Sequence, residues 1–125
     1  GFSPDPQPLA EIASGGSVEV SYLGSGCAGF ASSQPDIRVN WDGFGFLRIF
    51  FVSDSGEDTT LIINGAESSW SCNDDSFETV HPSVDYDDAG SGQYDIWVGS
   101  YSEGFITGTL YFTEISSNNP TTVGP

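Results

Sequence analysis

The sequence predicts an all-β protein, two antiparallel sheets packed as a sandwich, and three observations lead there. Apolar residues recur at every second position in several short runs. Clusters of Gly, Ser, Asn and Asp separate those runs. No segment carries a helical period. The composition agrees, because 16 Gly, 9 Phe, 5 Tyr and 3 Trp in 125 residues suit turns and half-buried strands better than helices, which draw on Ala, Leu, Lys and Glu. A chain of this length makes one domain with a substantial core.

Residues 1–16 stand apart. Pro4, Pro6 and Pro8 predict an extended, polyproline-like arm in place of a strand or helix. Phe2, Leu9 and Ile12 are its spaced apolar groups, and Gly15-Gly16 reads as a hinge into the body. The body runs over 17–115, and 116–125 reads as a flexible polar tail.

Within the body about eight strands are expected, at 17–22, 37–41, 46–53, 59–63, 69–72, 84–86, 93–98 and 105–115. Val18, Val20 and Tyr22 share one face of the first, and Ile37, Val39 and Trp41 one face of the second, with Arg38 and Asn40 outward. In 46–53 both faces are apolar. Leu47, Ile49 and Phe51 suit the core, which leaves Phe46, Phe50 and Val52 on the other side with Arg48. Trp97 likewise points away from Tyr94, Ile96 and Val98. An outer sheet face this apolar needs a cover, supplied by the arm, a neighbouring subunit or a ligand. Phe46, Phe50, Val52 and Trp97 are therefore the expected assembly face.

The charge excludes some partners. Eighteen carboxylates face only Arg38 and Arg48, a net charge of -16, a field that repels nucleic acid and anionic membrane surfaces and attracts hard cations. No apolar run is long enough to insert in a membrane. Cys27 and Cys72, the only two cysteines of a lysine-free, Gly-rich chain, are expected to form a disulfide in an oxidising, extracellular compartment. Because the chain starts at Gly1, it reads as a processed or excised form.

Conventional catalytic chemistry finds little to work with. His81 is the sole histidine, sits in a Thr-Val-His-Pro loop and reads as a solvated surface side chain. No Gly-x-Ser-x-Gly elbow is present, and carboxylates are too numerous for any pair to stand out. The acidic turns offer more. Asp54, Glu57 and Asp58 form one group and Asn73, Asp74 and Asp75 another, with Asp58, Asp74 and Asp75 the expected ligands of a structural calcium. Asp85, Asp87 and Asp88 make a third, weaker group. The alternative is that these residues are simply turn formers. Trp97, Tyr101 and Trp70 are candidates for stacking on an extracellular glycan, although rings in a sandwich more often serve core or interface.

Four motifs in order, Asp58-Thr59-Thr60-Leu61, Asn73-Asp74-Asp75-Ser76, the run from Gly92 to Tyr101 and Gly108-Thr109-Leu110-Tyr111-Phe112, resemble the bacterial pre-peptidase C-terminal domain over about half the chain. Gly1-Phe2-Ser3-Pro4-Asp5-Pro6 and Gly26-Cys27-Ala28-Gly29-Phe30 are similar to secreted bacterial repeats loosely labelled trypsin-like peptidases. The resemblance implies a jelly-roll-like sandwich, exported, appended to enzymes and in some cases stabilised by calcium, and it does not imply proteolysis. The expectation is thus a non-catalytic extracellular module that polymerises head to tail with copies of itself through its arm. The alternative is a polysaccharide- or protein-binding module of a larger secreted hydrolase.

Overall fold

The computed structural model describes residues 7–14, 18–19, 30–31, 36–41, 45–54, 59–65, 70–73, 81–100, 106–115 and 117–123. Among them are β1 (Gln7–Ser14), β2 (Val18–Glu19), β3 (Phe30–Ala31), β4 (Ile37–Trp41) and β5 (Gly45–Ser53). They continue with β6 (Thr59–Asn64), β7 (Trp70–Asn73), β8 (Ser83–Ala89), β9 (Gly92–Ser100), β10 (Ile106–Thr113) and a final turn of helix, α1 (Pro120–Val123). The all-β expectation holds. Two antiparallel sheets form, one in the order β1-β10-β5-β8, the other in the order β2-β3-β9-β6-β7 with β4 also paired to β9.

Period-two alternation decides which side chains of each strand face the space between the sheets. From β5, Leu47, Ile49 and Phe51 enter the core, joined by Val84 of β8 and by Leu110 and Phe112 of β10. The second sheet contributes Trp41, Leu61, Ile63, Tyr94, Ile96 and Val98, so one apolar core is shared by both sheets. Tyr94 is fully buried in it, with Trp41 and Tyr86 edge-on to its ring and its hydroxyl donating to the Gly90 carbonyl at 2.6 Å. Trp41 satisfies its indole N–H on Glu114 Oε2 at 3.2 Å. Asp36 sets the start of β4 against β9: its amide donates to Ile96 O at 2.8 Å, and its carboxylate accepts from Val98 N at 2.7 Å.

Two expectations about the chain ends are corrected. The prolines do not keep the arm out of the sheet, because residues 7–14 form β1 and pair antiparallel with β10 from Gln7↔Phe112 to Ser14↔Ile106. Pro8 is tolerated because β1 is an edge strand and the register shifts between Pro8 and Ala10, leaving Leu9 as the extra residue. Edges and bulges are where a residue without an amide hydrogen costs no ladder bond. Nor is the tail free of the body, since Asn118 N donates to Ile115 O at 3.0 Å and Pro120 is buried. The arm residue Phe2 lies outside the described residues.

Candidate functional site

Two surfaces carry the chemistry predicted from sequence, and they lie on different sheets. On the four-stranded sheet the outer side of β5 presents Phe46, Arg48, Phe50 and Val52, as alternation requires. The cover expected over them is supplied at Arg48 by the chain itself: Arg48 Nη1 donates to the carbonyl of Asn118 at 2.8 Å, and α1 packs on β5. Arg48 is nearly buried, caught in a two-point pair with Asp85 and lying over the Phe46 ring at 5.2 Å. Phe50 is fully buried and stacks on Tyr111 of β10 at 5.1 Å, and Val52 is buried as well. The single assembly face expected from Phe46, Phe50, Val52 and Trp97 is therefore corrected. Three of the four belong to β5, where Phe50 and Val52 are buried and Phe46 half-buried, whereas Trp97 is on β9 of the other sheet.

On the six-stranded sheet, Trp97 meets Trp70 with ring centroids 5.2 Å apart at 40°. Beside Trp97, Ile62 lies directly opposite it on β6 and Cys72 opposite Ile62 on β7, and with Ala31 they form a small apolar cluster separate from the main core in which Ile62 is buried. Among the described residues, Trp70 and Ile115 are the large apolar side chains left open, Trp70 being 42% exposed. Beside the indoles, Arg38 Nε donates to Asp95 Oδ1 at 2.7 Å and Gln93 Nε2 to Asp95 Oδ2 at 3.3 Å. The hydrogen bond to Asp95 and the charge of that carboxylate hold the Arg38 pKa above its ordinary value. Tyr101, the third ring considered for a glycan, lies outside the described residues.

His81 is not the solvated loop residue expected. It is buried, and its Nδ1 accepts a long hydrogen bond from the amide of Ser53 at 3.4 Å, which ties the segment before β8 to the end of β5. Burial lowers its pKa. A ring serving as an acceptor here has a structural role, and the prolyl carbonyl that follows it takes the Phe51 amide at 3.2 Å. The sequence hid this because a Pro-flanked histidine in a polar stretch looks the same whether it is solvated or folded under a sheet.

The expected calcium ligands Asp58, Asp74 and Asp75 all lie outside the described residues. Among the described residues, no three His, Cys, Asp or Glu side chains gather where they could hold a metal ion. Asn73, from the second acidic turn, spends its side-chain oxygen on the amide of Ser83 at 3.0 Å, joining β7 to β8. In the third acidic group, Asp85 is committed to Arg48. The bridge expected between Cys27 and Cys72 is corrected to a narrower statement. Cys72 on β7 is disulfide-bonded and no described cysteine is free, while Cys27, the partner expected for it, lies outside the described residues.

The fold and these surfaces define the class: an all-β protein of two antiparallel sheets around one core. Compared with known proteins, no family model, no curated protein and no solved structure matches the chain. The resemblance to the pre-peptidase C-terminal domain accordingly rests on the four motifs alone.

Proposed function

We propose that this chain is a non-catalytic extracellular structural module that assembles with copies of itself, β1 of one subunit pairing with β10 of the next. The position of β1 carries the proposal. It is an eight-residue strand on a sheet edge, laddered among the described residues to β10 alone, and followed in sequence by Gly15-Gly16. Exchanging such a strand between copies keeps the ladder and costs little, and a head-to-tail exchange continues as an open filament. The acceptor is thus the β10 edge, which replaces the outer-face docking expected for Phe2, Leu9 and Ile12.

The strand order supports reading the sandwich as a jelly roll. Taking β1, β4, β5, β6, β7, β8, β9 and β10 as strands one to eight, one sheet runs one, eight, three, six and the other two, seven, four, five. That arrangement is what folding a long antiparallel hairpin twice over produces, and it leaves the first strand on an edge, where it can leave without unzipping a sheet centre. The net charge of -16 opposes contact between copies. Calcium at Asp58, Asp74 and Asp75 belongs to the same reading, as the counter-charge that lets copies approach.

Negative-stain microscopy and light scattering, with calcium and with a chelator, test the assembly. The full chain forms fibres, a chain lacking residues 1–14 does not, and a peptide of residues 1–16 restores the fold of the shortened chain without restoring fibres. A full chain that stays monomeric under both conditions, or a shortened chain that makes the same fibres, ends the proposal.

A further inference from the structure

We propose that the outer face of the six-stranded sheet is a binding site for a neutral polysaccharide, with Trp70 and Trp97 as its stacking surface and the Arg38–Asp95–Gln93 cluster as its hydrogen-bonding ledge. The site is independent of the β1–β10 edge, which belongs to the other sheet.

Register places these groups. Arg38 lies opposite Asp95, Asp95 opposite Asn64, and Asn64 opposite Trp70, so one row crosses β4, β9, β6 and β7 as guanidinium, carboxylate, amide and indole. Trp97, two residues beyond Asp95 on β9, stands on the same face and leans on Trp70. Asn40 and Gln93, opposite one another, extend the polar end. Strands about 4.8 Å apart give the row a span of roughly 14 Å, the scale of a short stretch of sugar chain.

The chemistry selects the occupant. An indole face is a large apolar surface with a polar edge, matched to the C–H face of a pyranose ring, whose hydroxyls then reach sideways. The ledge supplies what vicinal hydroxyls need, a planar fork of donors on Arg38 beside carboxylate and amide acceptors. It is also pre-set: Arg38 Nε is 2.7 Å and Nη2 3.3 Å from the two Asp95 oxygens, and Gln93 holds the same carboxylate. Arg38 keeps 56% of its side chain exposed, so its remaining donors face outward. Charge settles the rest. The protein's field of -16 turns away nucleic acid and acidic glycans. A cationic partner finds the carboxylate of the row already neutralised by Arg38. A neutral, hydroxyl-rich chain fits both the overall field and the local balance.

The test titrates the full chain with cellohexaose, xylohexaose and mannohexaose, with polygalacturonate as the acidic control, following tryptophan emission and calorimetric heat. Trp41 is buried in the core, so an emission change reports Trp70 and Trp97. At least one neutral hexaose binds and shifts the emission, the acidic polymer does not, and Trp70→Ala weakens binding roughly tenfold or more. Because Trp70 is exposed, the variant melts like the parent, and Gln93→Ala, at the polar end, weakens binding without altering emission of the free protein. The proposal is overturned if no neutral hexaose binds at millimolar concentration, or if Trp70→Ala binds as the parent does. It is equally overturned if Trp70→Ala leaves sugar binding alone and instead dissolves self-association, which would make this face a contact between copies.

Discussion

Arg48 and Asp85 sit directly opposite each other on β5 and β8 and close a two-point ion pair, Nε to Oδ1 at 2.7 Å and Nη2 to Oδ2 at 2.8 Å. Arg38 and Asp95 repeat the device on β4 and β9 in the other sheet. The chain's only two arginines are thus each committed to a carboxylate across a ladder, one per sheet. The two pairs differ in surroundings. The Arg48 side chain is 7% exposed and the Arg38 side chain 56%.

That difference sets the first expectation. Asp85→Asn leaves a nearly buried guanidinium short of its counter-charge and costs about 2 kcal/mol, below the usual loss for a fully buried pair because Asp85 itself is partly solvated. Asp95→Asn leaves the urea midpoint almost unmoved, since an exposed pair is worth little. Denaturation curves of both variants decide it, and equal shifts would show that burial of Arg48 is not what gives its pair weight.

Gly108 is the position in β10 that least tolerates a side chain. A Cβ there would lie 2.3 Å from the Val52 carbonyl oxygen and 2.5 Å from the Phe51 ring. The strand runs between β1 and β5, with Gly108 opposite Ile12 on one side and Ser53 on the other, so neither neighbour can give way without disturbing a ladder. Gly108→Ala is expected to cost about 3 kcal/mol or more. Gly90→Ala, where nothing lies within 4 Å, should stay within about 0.5 kcal/mol of the parent. Thermal melts of the two variants check the contrast, and a mild Gly108→Ala would mean that β10 sits farther from β5.

How much of this was legible in the sequence depends on the scale of the signal. Alternation in 93–98 was enough to send Tyr94, Ile96 and Val98 inward, and in 46–53, apolar on both faces, the parity of positions was enough to leave Phe50 and Val52 on the outer side. What covers Arg48 was not legible, because the contact comes from a backbone carbonyl at Asn118, and backbone groups leave no residue pattern. β1 was hidden by weighing Pro8 as a breaker when an edge and a bulge absorb it, and a two-residue strand such as β3 is too short for any period. Both tryptophans of the candidate glycan site were readable as residue types. Their adjacency follows from register, with Ile62 opposite Trp97 and Asn64 opposite Trp70, and register is a property of paired strands, not of one.

His81 gives the protein a dependence on pH through its buried ring. Burial holds the imidazole below its ordinary value of 6.5, so the folded protein favours the neutral ring, with Nδ1 accepting from Ser53. As pH falls the unfolded chain takes up this proton first, so the contribution is whole above about 6.5 and is lost as pH drops through the lower folded value. Between about pH 8 and about pH 5 the parent should lose stability that His81→Gln does not lose. Urea denaturation of the two proteins at both ends of that range measures the gap. A gap that stays constant would place the ring in solvent.

Strand exchange makes the last prediction, and the register makes it specific. Glu11 on β1 lies opposite Thr109 on β10, so cysteines at those two positions are brought together whenever the strands pair. Two single variants, Glu11→Cys and Thr109→Cys, each carry half of the couple, and neither can close a Glu11–Thr109 bridge within one chain. Mixed under the conditions that give fibres and then oxidised, they should yield a dimer cross-linked between residue 11 of one chain and residue 109 of the other, identified by peptide mass. The double variant, oxidised while dilute, should instead close the bridge within each chain, pin β1 at home and block assembly, a block that reduction relieves. Both outcomes follow only if β1 can leave its own β10 for a neighbour's. If the mixed single variants form fibres yet give no 11–109 cross-link, or if the pinned double variant polymerises as the parent does, copies join through another surface and β1 is a permanent strand of its own sheet.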